Sequence, residues 1–172
     1  NRILPSRNPD TGFPILYARL VYKDYEFIEE QLATNYAKEN IYCFAIDRKA
    51  SPKFIRRILA LKRCFPNVVV TNRRRDLDSA GHNHNKAHLD CMRATRKIRW
   101  EYAMLLQNHD VMLKTHKQMT EILRIYGAND IEITPCPAWR CLPTLERNLG
   151  TLGLCPKDLS EEECAFCYDS TL

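Results

Sequence analysis

The sequence lacks the glycine-rich loops with which many proteins bind phosphate. It has five glycines in 172 residues, and neither GxGxxG nor GxxxxGK[ST] occurs, which argues against a dinucleotide-binding fold and a P-loop NTPase. No apolar run approaches the ~20 residues that a membrane-spanning helix needs. An N-x-S/T sequon is also absent, so glycosylation gives no evidence about the cellular compartment.

Length and composition are those of a globular domain. The chain is long enough to bury roughly 70% of its unfolded surface in one domain, and 45% of its residues are apolar and 27% charged. Its net charge of +5 suits an anionic ligand without specifying one. The first residue is Asn1 rather than Met, and no signal-peptide pattern follows. Both ends are therefore compatible with a fragment of a longer protein, and an upstream anchor stays open.

Eight cysteines are many for a chain of this size. Their even number fits oxidised pairs in a secretory compartment, and Cys43 and Cys91 lie in elements that can be neighbours. A metal cluster is the alternative for the C-terminal end, where Cys164 and Cys167 form a CxxC motif. Because that end has irregular cysteine spacing and no second CxxC, disulfides are the favoured interpretation.

Hydrophobic periodicity predicts alternating strands and helices. The predicted strands are residues 14–22, 41–46, 67–71, 101–107 and 130–134, and the predicted helices are residues 25–36, 52–63, 79–99 and 116–126. Asp24 and Ser51 are the expected N-caps of the first two helices, and Gly127 is the expected C-cap of the last. The alternation implies an α/β fold with a mainly parallel sheet and helices on both faces.

Two aspartates follow predicted strands. Asp47 comes directly after strand 41–46, and Asp110 lies three residues beyond strand 101–107. In open α/β sheets, ligands bind outside the carboxyl ends of the strands. The two carboxylates therefore suit a nucleotide-sugar site, where one accepts hydrogen bonds from a base or ribose and the other from sugar hydroxyls. The alternative is that Asp47 pairs with its basic neighbours and that Asp110 only turns the chain.

Three histidines lie in the segment GHNHNKAHLD. On a helix, His84 and His88 share a face, which is a workable spacing for a metal. No HExxH motif is present and no third ligand is evident. Solvated or capping histidines are therefore the favoured interpretation, for His82 as well.

A run of arginines, Arg73 to Arg75, and the basic stretch at residues 93–99 are the main concentrations of positive charge. They make a nucleic-acid-binding module an alternative function, for which steep salt dependence is expected. A run of three arginines is more often a solvated loop. No serine lies in a nucleophile elbow, and no general base is evident.

Five stretches of the chain match one enzyme family in order and spacing. They are FPILYARLVYKDYEFIEEQL (13–32), NIYCFAIDRKA (40–50), CFPNVVV (64–70), DSAGHNHNKAHLDCM (78–92) and WEYAMLLQNHDVMLKT (100–115). Over residues 13–134 the chain resembles the core-2/I-branching β-1,6-N-acetylglucosaminyltransferases of glycosyltransferase family 14, especially nematode-type members. Each stretch alone is weak evidence, but together they are specific.

The resemblance implies a GT-A-like fold, incomplete here at its C-terminal side. It also implies inverting transfer of GlcNAc from UDP-GlcNAc to the 6-hydroxyl of a glycan acceptor, with a glycoprotein O-glycan expected. The family needs no metal and lacks the DxD motif, as does His109-Asp110-Val111 here, so neither metal nor cofactor is expected, and nucleic acid is not an expected partner. The implied location is the Golgi lumen, as a type II membrane protein in the full-length form.

The donor site is implied by the same resemblance. Val21 and Tyr22 fall where the family lines its nucleotide pocket, Asp47 falls on the uridine-contacting aspartate, and Asp110 falls on the aspartate near the donor sugar. The loop that closes over the nucleotide contains Ser79 and Ala80. Two departures bear on these contacts, because the family's CGxD is QNHD here and its YASW is SAGH.

The resemblance also concerns cysteines. Cys43 and Cys91 match a family disulfide. Cys64 matches a half-cystine whose partner lies upstream of the homologous start, so that partner is expected to be missing here. Pairing stays open for the five remaining cysteines, an odd number: Cys136, Cys141, Cys155, Cys164 and Cys167.

Composition and the resemblance together divide the chain into three segments. Residues 1–12 are expected to be an extended lead-in, residues 13–134 a nucleotide-sugar-binding half-domain, and residues 135–172 an irregular segment rich in cysteine and proline. The family's catalytic glutamate and its diphosphate-neutralising basic residues lie in a second half that this chain is expected to lack. Because inverting attack needs a base and departing UDP needs charge stabilisation, no catalytic residue and little or no turnover are expected here.

Overall fold

The computed structural model describes residue 8 and residues 10–127. These residues form four strands and four helices in alternating order. The elements are β1 (Ile15–Val21), α1 (Tyr25–Asn35), β2 (Ile41–Ile46), α2 (Pro52–Cys64), β3 (Val68–Val70), α3 (His84–Thr95), β4 (Tyr102–Leu106) and α4 (His116–Tyr126). None of these helices has the length and apolar character needed to cross a membrane.

The four strands form one parallel sheet in the order β3-β2-β1-β4. Side chains alternate between its two faces, as the pleat requires. One face packs on α1 and α2 through residues such as Ile28 and Ile58, and the other packs on α3 through Ala87 and Cys91. The predicted α/β fold with a parallel sheet and helices on both faces is therefore confirmed.

Local sequence explains where most helices begin and end. Ser51 accepts a hydrogen bond from the Phe54 N–H and precedes a proline at the first helical position, and Gly127 ends α4 with φ 61°. Both predicted caps are confirmed. Asp24 occupies the N-cap position of α1, as predicted, but it has φ 55° and makes no side-chain cap bond. Its carboxylate instead contacts the His109 ring at 2.8 Å.

The long helix predicted at residues 79–99 is shorter in the structure. It covers only His84–Thr95, because Gly81 and Asn83 adopt positive φ values of 87° and 62°. The Asp78 carboxylate accepts hydrogen bonds from the N–H groups of Ala80 and His82, which folds this stretch into a loop. The predicted strand at 130–134 and the cysteine-rich segment lie outside the described residues.

A disulfide joins Cys43 of β2 to Cys91 of α3, with 5.7 Å between the two Cα atoms. Both half-cystines are fully buried, and the pairing implied by the resemblance is confirmed. The sequence separation is 48 residues, and closing a loop of that size stabilises the fold by roughly 4 kcal/mol in the chain-entropy model. Cys64 is exposed and free.

Candidate functional site

The strand order reverses at β1, which lies between β2 and the edge strand β4 of the described sheet. Strands added after β1 extend in one direction, whereas β4 lies on its other side. Such a reversal opens a crevice at the carboxyl ends of the strands. A cavity of about 590 Å³ lies there. Its lining includes Tyr22 after β1, Asp47 after β2 and Asn108 after β4.

Asp47 is the most buried carboxylate in the cavity lining, with 4% of its surface exposed. Its backbone N–H donates to the Val21 carbonyl at 2.9 Å, which extends the β1–β2 ladder by one residue. Its Oδ1 atom accepts the Lys49 N–H at 2.8 Å. No described residue donates a hydrogen bond to Oδ2, so this oxygen can accept one from a ligand.

A loop at residues 77–81 forms another wall of the cavity, and Ser79 and Ala80 belong to it. The loop is built around Asp78, whose Oδ1 atom accepts two backbone N–H groups while its Oδ2 atom lies 2.6 Å from His82 Nδ1. The side-chain hydrogen bond with His82 is the main cause that lowers the pKa of Asp78. The Asp78 carboxylate therefore stays ionised and keeps the loop folded.

Basic side chains attach this loop to the end of β2. Lys49 Nζ donates to the Leu77 carbonyl at 2.7 Å and contacts Asp76 at 2.8 Å, and Arg48 contacts the other Asp76 oxygen at 2.7 Å. The hydrogen bond from Lys49 is the largest cause of the lowered pKa of Asp76. These contacts hold the loop next to Asp47.

The other predicted donor-site residues lie near the cavity in different ways. Tyr22 lines it and is 43% exposed, whereas Val21 is fully buried in the core. Asp110 is not among the residues of the lining. Its Oδ2 atom accepts the Gln107 N–H at 2.7 Å, and its carbonyl accepts a bond from Arg19. The structure thus brings Tyr22, Asp47, Ser79 and Ala80 together around one space.

The cavity lining also contains residues that the sequence does not predict for the site, among them Lys49, His84 and Asn108. Asn108 lies two residues after the end of β4. The argument from strand carboxyl ends that selects Asp47 therefore applies to it as well. His84 begins α3, and its spacing to His88 points only to a metal. The basic character of Lys49 points only to a local ion pair with Asp47.

The histidine segment does not form a metal centre. Between residues 10 and 127, no group of three or more His, Cys, Asp or Glu side chains is placed to hold a metal ion. His82 is exposed and pairs with Asp78, whereas His88 is buried. Burial, followed by the nearby His84, lowers the pKa of His88 to about 4. His84 and His88 therefore differ in environment despite their helical spacing.

The arginine run divides in the same way. Arg75 makes a two-pronged ion pair with Asp90 of α3, at 2.6 and 3.1 Å, while Arg73 and Arg74 are exposed. The basic stretch at residues 93–99 is not one helix, because α3 ends at Thr95. Arg75 therefore connects the segment before the loop at residues 77–81 to helix α3.

Comparison with known proteins supports the resemblance. The model of the Core-2/I-Branching enzyme family matches residues 15–144. A zebrafish (Danio rerio) beta-1,3-galactosyl-O-glycosyl-glycoprotein beta-1,6-N-acetylglucosaminyltransferase 4 is 32% identical over 126 residues, which cover 72% of this chain and 29% of that protein. The rat (Rattus norvegicus) beta-1,3-galactosyl-O-glycosyl-glycoprotein beta-1,6-N-acetylglucosaminyltransferase 3 is 30% identical over 132 residues, which cover 75% of this chain and 30% of that protein.

A human relative carries a different name. The Homo sapiens N-acetyllactosaminide beta-1,6-N-acetylglucosaminyl-transferase is 27% identical over 128 residues, which cover 73% of this chain and 31% of that protein. The chain thus spans about 30% of the length of these curated relatives. Because the family model covers more than half of the sequence, this chain belongs to the Core-2/I-branching enzyme family.

Proposed function

We propose that this chain forms the donor-nucleotide-binding part of a β-1,6-N-acetylglucosaminyltransferase. The reaction would transfer GlcNAc from UDP-GlcNAc to a glycan acceptor with inversion and without a metal. The observation that carries the proposal is the cavity at the carboxyl ends of β1, β2 and β4, with Asp47 buried in its lining. The names of the relatives support the transferred sugar and the linkage.

The chemistry of the cavity fits a nucleoside better than a bare phosphate. The Oδ2 atom of Asp47 is a charged acceptor, suited to the N–H of a uracil ring or to ribose hydroxyls. Tyr22 offers an exposed aromatic ring at the same cavity. Ser79 and Ala80 lie on a loop that Asp78 keeps folded. Asp110 lies outside the lining, and its role near the donor sugar is part of this proposal.

Catalysis requires two further elements. A base must take the proton of the attacking acceptor hydroxyl while the bond from the sugar C1 to the diphosphate oxygen breaks, and positive charge must stabilise the departing UDP. We assign neither role to a residue of this chain, and we propose that the chain alone binds UDP but turns over little or nothing. The acceptor is proposed to be a glycoprotein O-glycan, and the site of action the Golgi lumen.

Ligand-dependent melting tests the proposal. UDP and UDP-GlcNAc are expected to stabilise the chain, with or without EDTA, and GDP much less. At 100 times its dissociation constant a ligand adds about 2.7 kcal/mol to the free energy of unfolding. A rise that EDTA abolishes would contradict metal independence, and a cooperative melt that no uridine nucleotide shifts would contradict the donor site itself.

The variant Asp47→Asn sharpens this test. It removes the charge of the cavity acceptor and is expected to weaken UDP binding roughly tenfold or more, because hydrogen bonds to charged groups are the stronger ones. Glu39→Gln is the matched control, since it neutralises another largely buried carboxylate that lies outside the cavity lining. Isothermal titration with UDP should give a weakened constant for Asp47→Asn and an unchanged one for Glu39→Gln.

A further inference from the structure

Asn108 connects two strands where their backbone pairing stops. The last paired residues of β1 and β4 are Arg19 and Leu106. Two residues beyond Leu106, Asn108 is 3% exposed, and its Oδ1 atom accepts the N–H of Tyr22 at 2.8 Å and of Lys23 at 3.4 Å. A side-chain amide thus takes the place of the missing backbone pairs.

The bridge is made in both directions. The Asn108 Nδ2 atom donates to the Lys23 carbonyl at 3.3 Å. An amide group is therefore required for the full set of contacts, because a carboxylate has no donor and a hydroxyl is too short to reach both partners. The aspartate variant is the closest in shape that breaks the donor half of the bridge.

The loop that carries Asn108 is itself fixed by a buried charge. Arg19 is 6% exposed, and its Nη1 atom donates to the carbonyls of Gln107, Asn108 and Asp110 at 3.2, 3.2 and 2.9 Å. The Asp110 carboxylate accepts the Gln107 N–H. The backbone around Asn108 is thus held by the hydrogen bonds of Arg19 and Asp110, and the Asn108 side chain connects it to the residues after β1.

We propose that Asn108 is a positioning residue of the cavity, which fixes the Tyr22 ring for nucleotide binding. The inference rests on the proposed donor site. Both residues line the cavity. Asn108 holds the Tyr22 backbone at 2.8 Å, while the 43% exposed Tyr22 side chain meets the His109 ring edge-on, with 6.2 Å between the ring centroids. Without the Asn108 side chain, Tyr22 and Lys23 lose these hydrogen bonds to the loop after β4, at the point where the crevice opens.

The test compares Asn108→Asp with Asn67→Asp. Asn67 also uses its side-chain amide on backbone carbonyls, those of Asn40 at 2.8 Å and Ala37 at 3.1 Å, but before β3 and outside the cavity lining. Both variants are expected to melt at lower temperature. Only Asn108→Asp is expected to weaken UDP binding, roughly tenfold, and to speed hydrogen exchange at the Tyr22 and Lys23 amides. Asn108→Ser replaces it if the aspartate variant does not fold.

A double-mutant cycle tests whether Asn108 acts through Tyr22. The effects of Asn108→Asp and Tyr22→Ala on UDP affinity are expected to be strongly non-additive. Additive effects, or an unchanged UDP dissociation constant in Asn108→Asp while the parent chain binds UDP, would overturn this inference alone. A parent chain that does not bind UDP would overturn the proposed function and this inference together.

Discussion

Two histidine–carboxylate pairs have the same 2.6 Å separation and lie at opposite ends of the strands. His116 and Glu39, near the amino ends, have side chains that are 0% and 9% exposed, whereas His82 and Asp78, near the carboxyl ends, are 74% and 44% exposed. Water screens the second pair and not the first. The same separation therefore gives a stronger electrostatic interaction for His116 and Glu39 than for His82 and Asp78.

The pair near the amino ends belongs to a buried hydrogen-bond network. Asn40 is fully buried, and its Oδ1 atom accepts the Ile15 N–H at 2.9 Å, so its Nδ2 atom faces His116 Nδ1 at 3.1 Å. His116 thus accepts at Nδ1 and donates from Nε2 to Glu39. The Glu39 Oε1 atom also accepts both the N–H and the hydroxyl of Thr11. The Glu39 Oε2 atom is buried without a hydrogen-bond partner among the described residues, but it lies outside the cavity lining, so this network serves to stabilise the fold.

Near the carboxyl ends, by contrast, the polar groups surround a space. Asp47 keeps one oxygen without a donor among the described residues, and Asp78 folds a loop beside the cavity. The contrast indicates that buried polar groups paired with each other hold the sheet together, while an open acceptor that lines a cavity, as in Asp47, suits a ligand site. Three predictions test this division, in order of expected size.

The largest effect is expected from His116→Ala. It leaves the Asn40 amide without an acceptor and removes a charge-assisted donor from Glu39, which should lower the free energy of unfolding by roughly 3 kcal/mol. UDP affinity should stay unchanged at temperatures where the chain is folded. Urea unfolding and titration with UDP measure the two quantities. A variant that keeps its stability, or one that folds and loses UDP affinity, would contradict the division.

Acid should weaken the same network through Glu39. Burial raises the pKa of Glu39, but the hydrogen bonds from His116 and Thr11 outweigh it and lower the pKa from 4.5 to about 2. The unfolded chain therefore takes up the proton first, so Glu39 stabilises the fold above pH 4.5 and this stabilisation is lost as the pH falls towards 2. Urea unfolding across this range should show a shallower pH dependence for Glu39→Gln.

His88 provides the internal control for that series. Burial, with His84 nearby, lowers the pKa of His88 from 6.5 to about 4. Its contribution to stability is therefore lost as the pH falls from 6.5 towards 4, mostly above the range in which Glu39 acts. Glu39→Gln should leave that part of the curve unchanged. A variant curve parallel to the parent curve below pH 4.5 would show that Glu39 does not carry the acid sensitivity.

The sequence predicted the framework because it depends on local signals. Hydrophobic periodicity locates the strands and most helices, and caps such as Ser51 and Gly127 locate helix ends. The rule that ligands bind at strand carboxyl ends selects Asp47. The resemblance added the Cys43–Cys91 pair, which the structure contains. These features need only a few neighbouring residues or a family match, so one sequence suffices to predict them.

The parts that sequence reasoning missed depend on contacts between distant residues. Asn108 is 86 positions from Tyr22, and His116 is 77 positions from Glu39. Asp24 is the N-cap residue that the sequence predicts, but its carboxylate contacts the His109 ring, 85 positions away, instead of a helix N–H. A separate reason applies to α3, which begins later than the apolar pattern predicts. Gly81 and Asn83 adopt positive φ values, and the apolar pattern does not indicate this.

The smallest effect is expected from His82→Ala. Its ring contacts Asp78 at 2.6 Å, as His116 contacts Glu39, but both partners are exposed. The melting temperature should therefore stay within about 2 °C of the parent value. Asp78 keeps its two backbone donors, so the loop should persist with more freedom, and UDP affinity should fall by roughly twofold. A loss of stability comparable to that of His116→Ala would contradict the argument, because burial would then not distinguish two pairs of equal length.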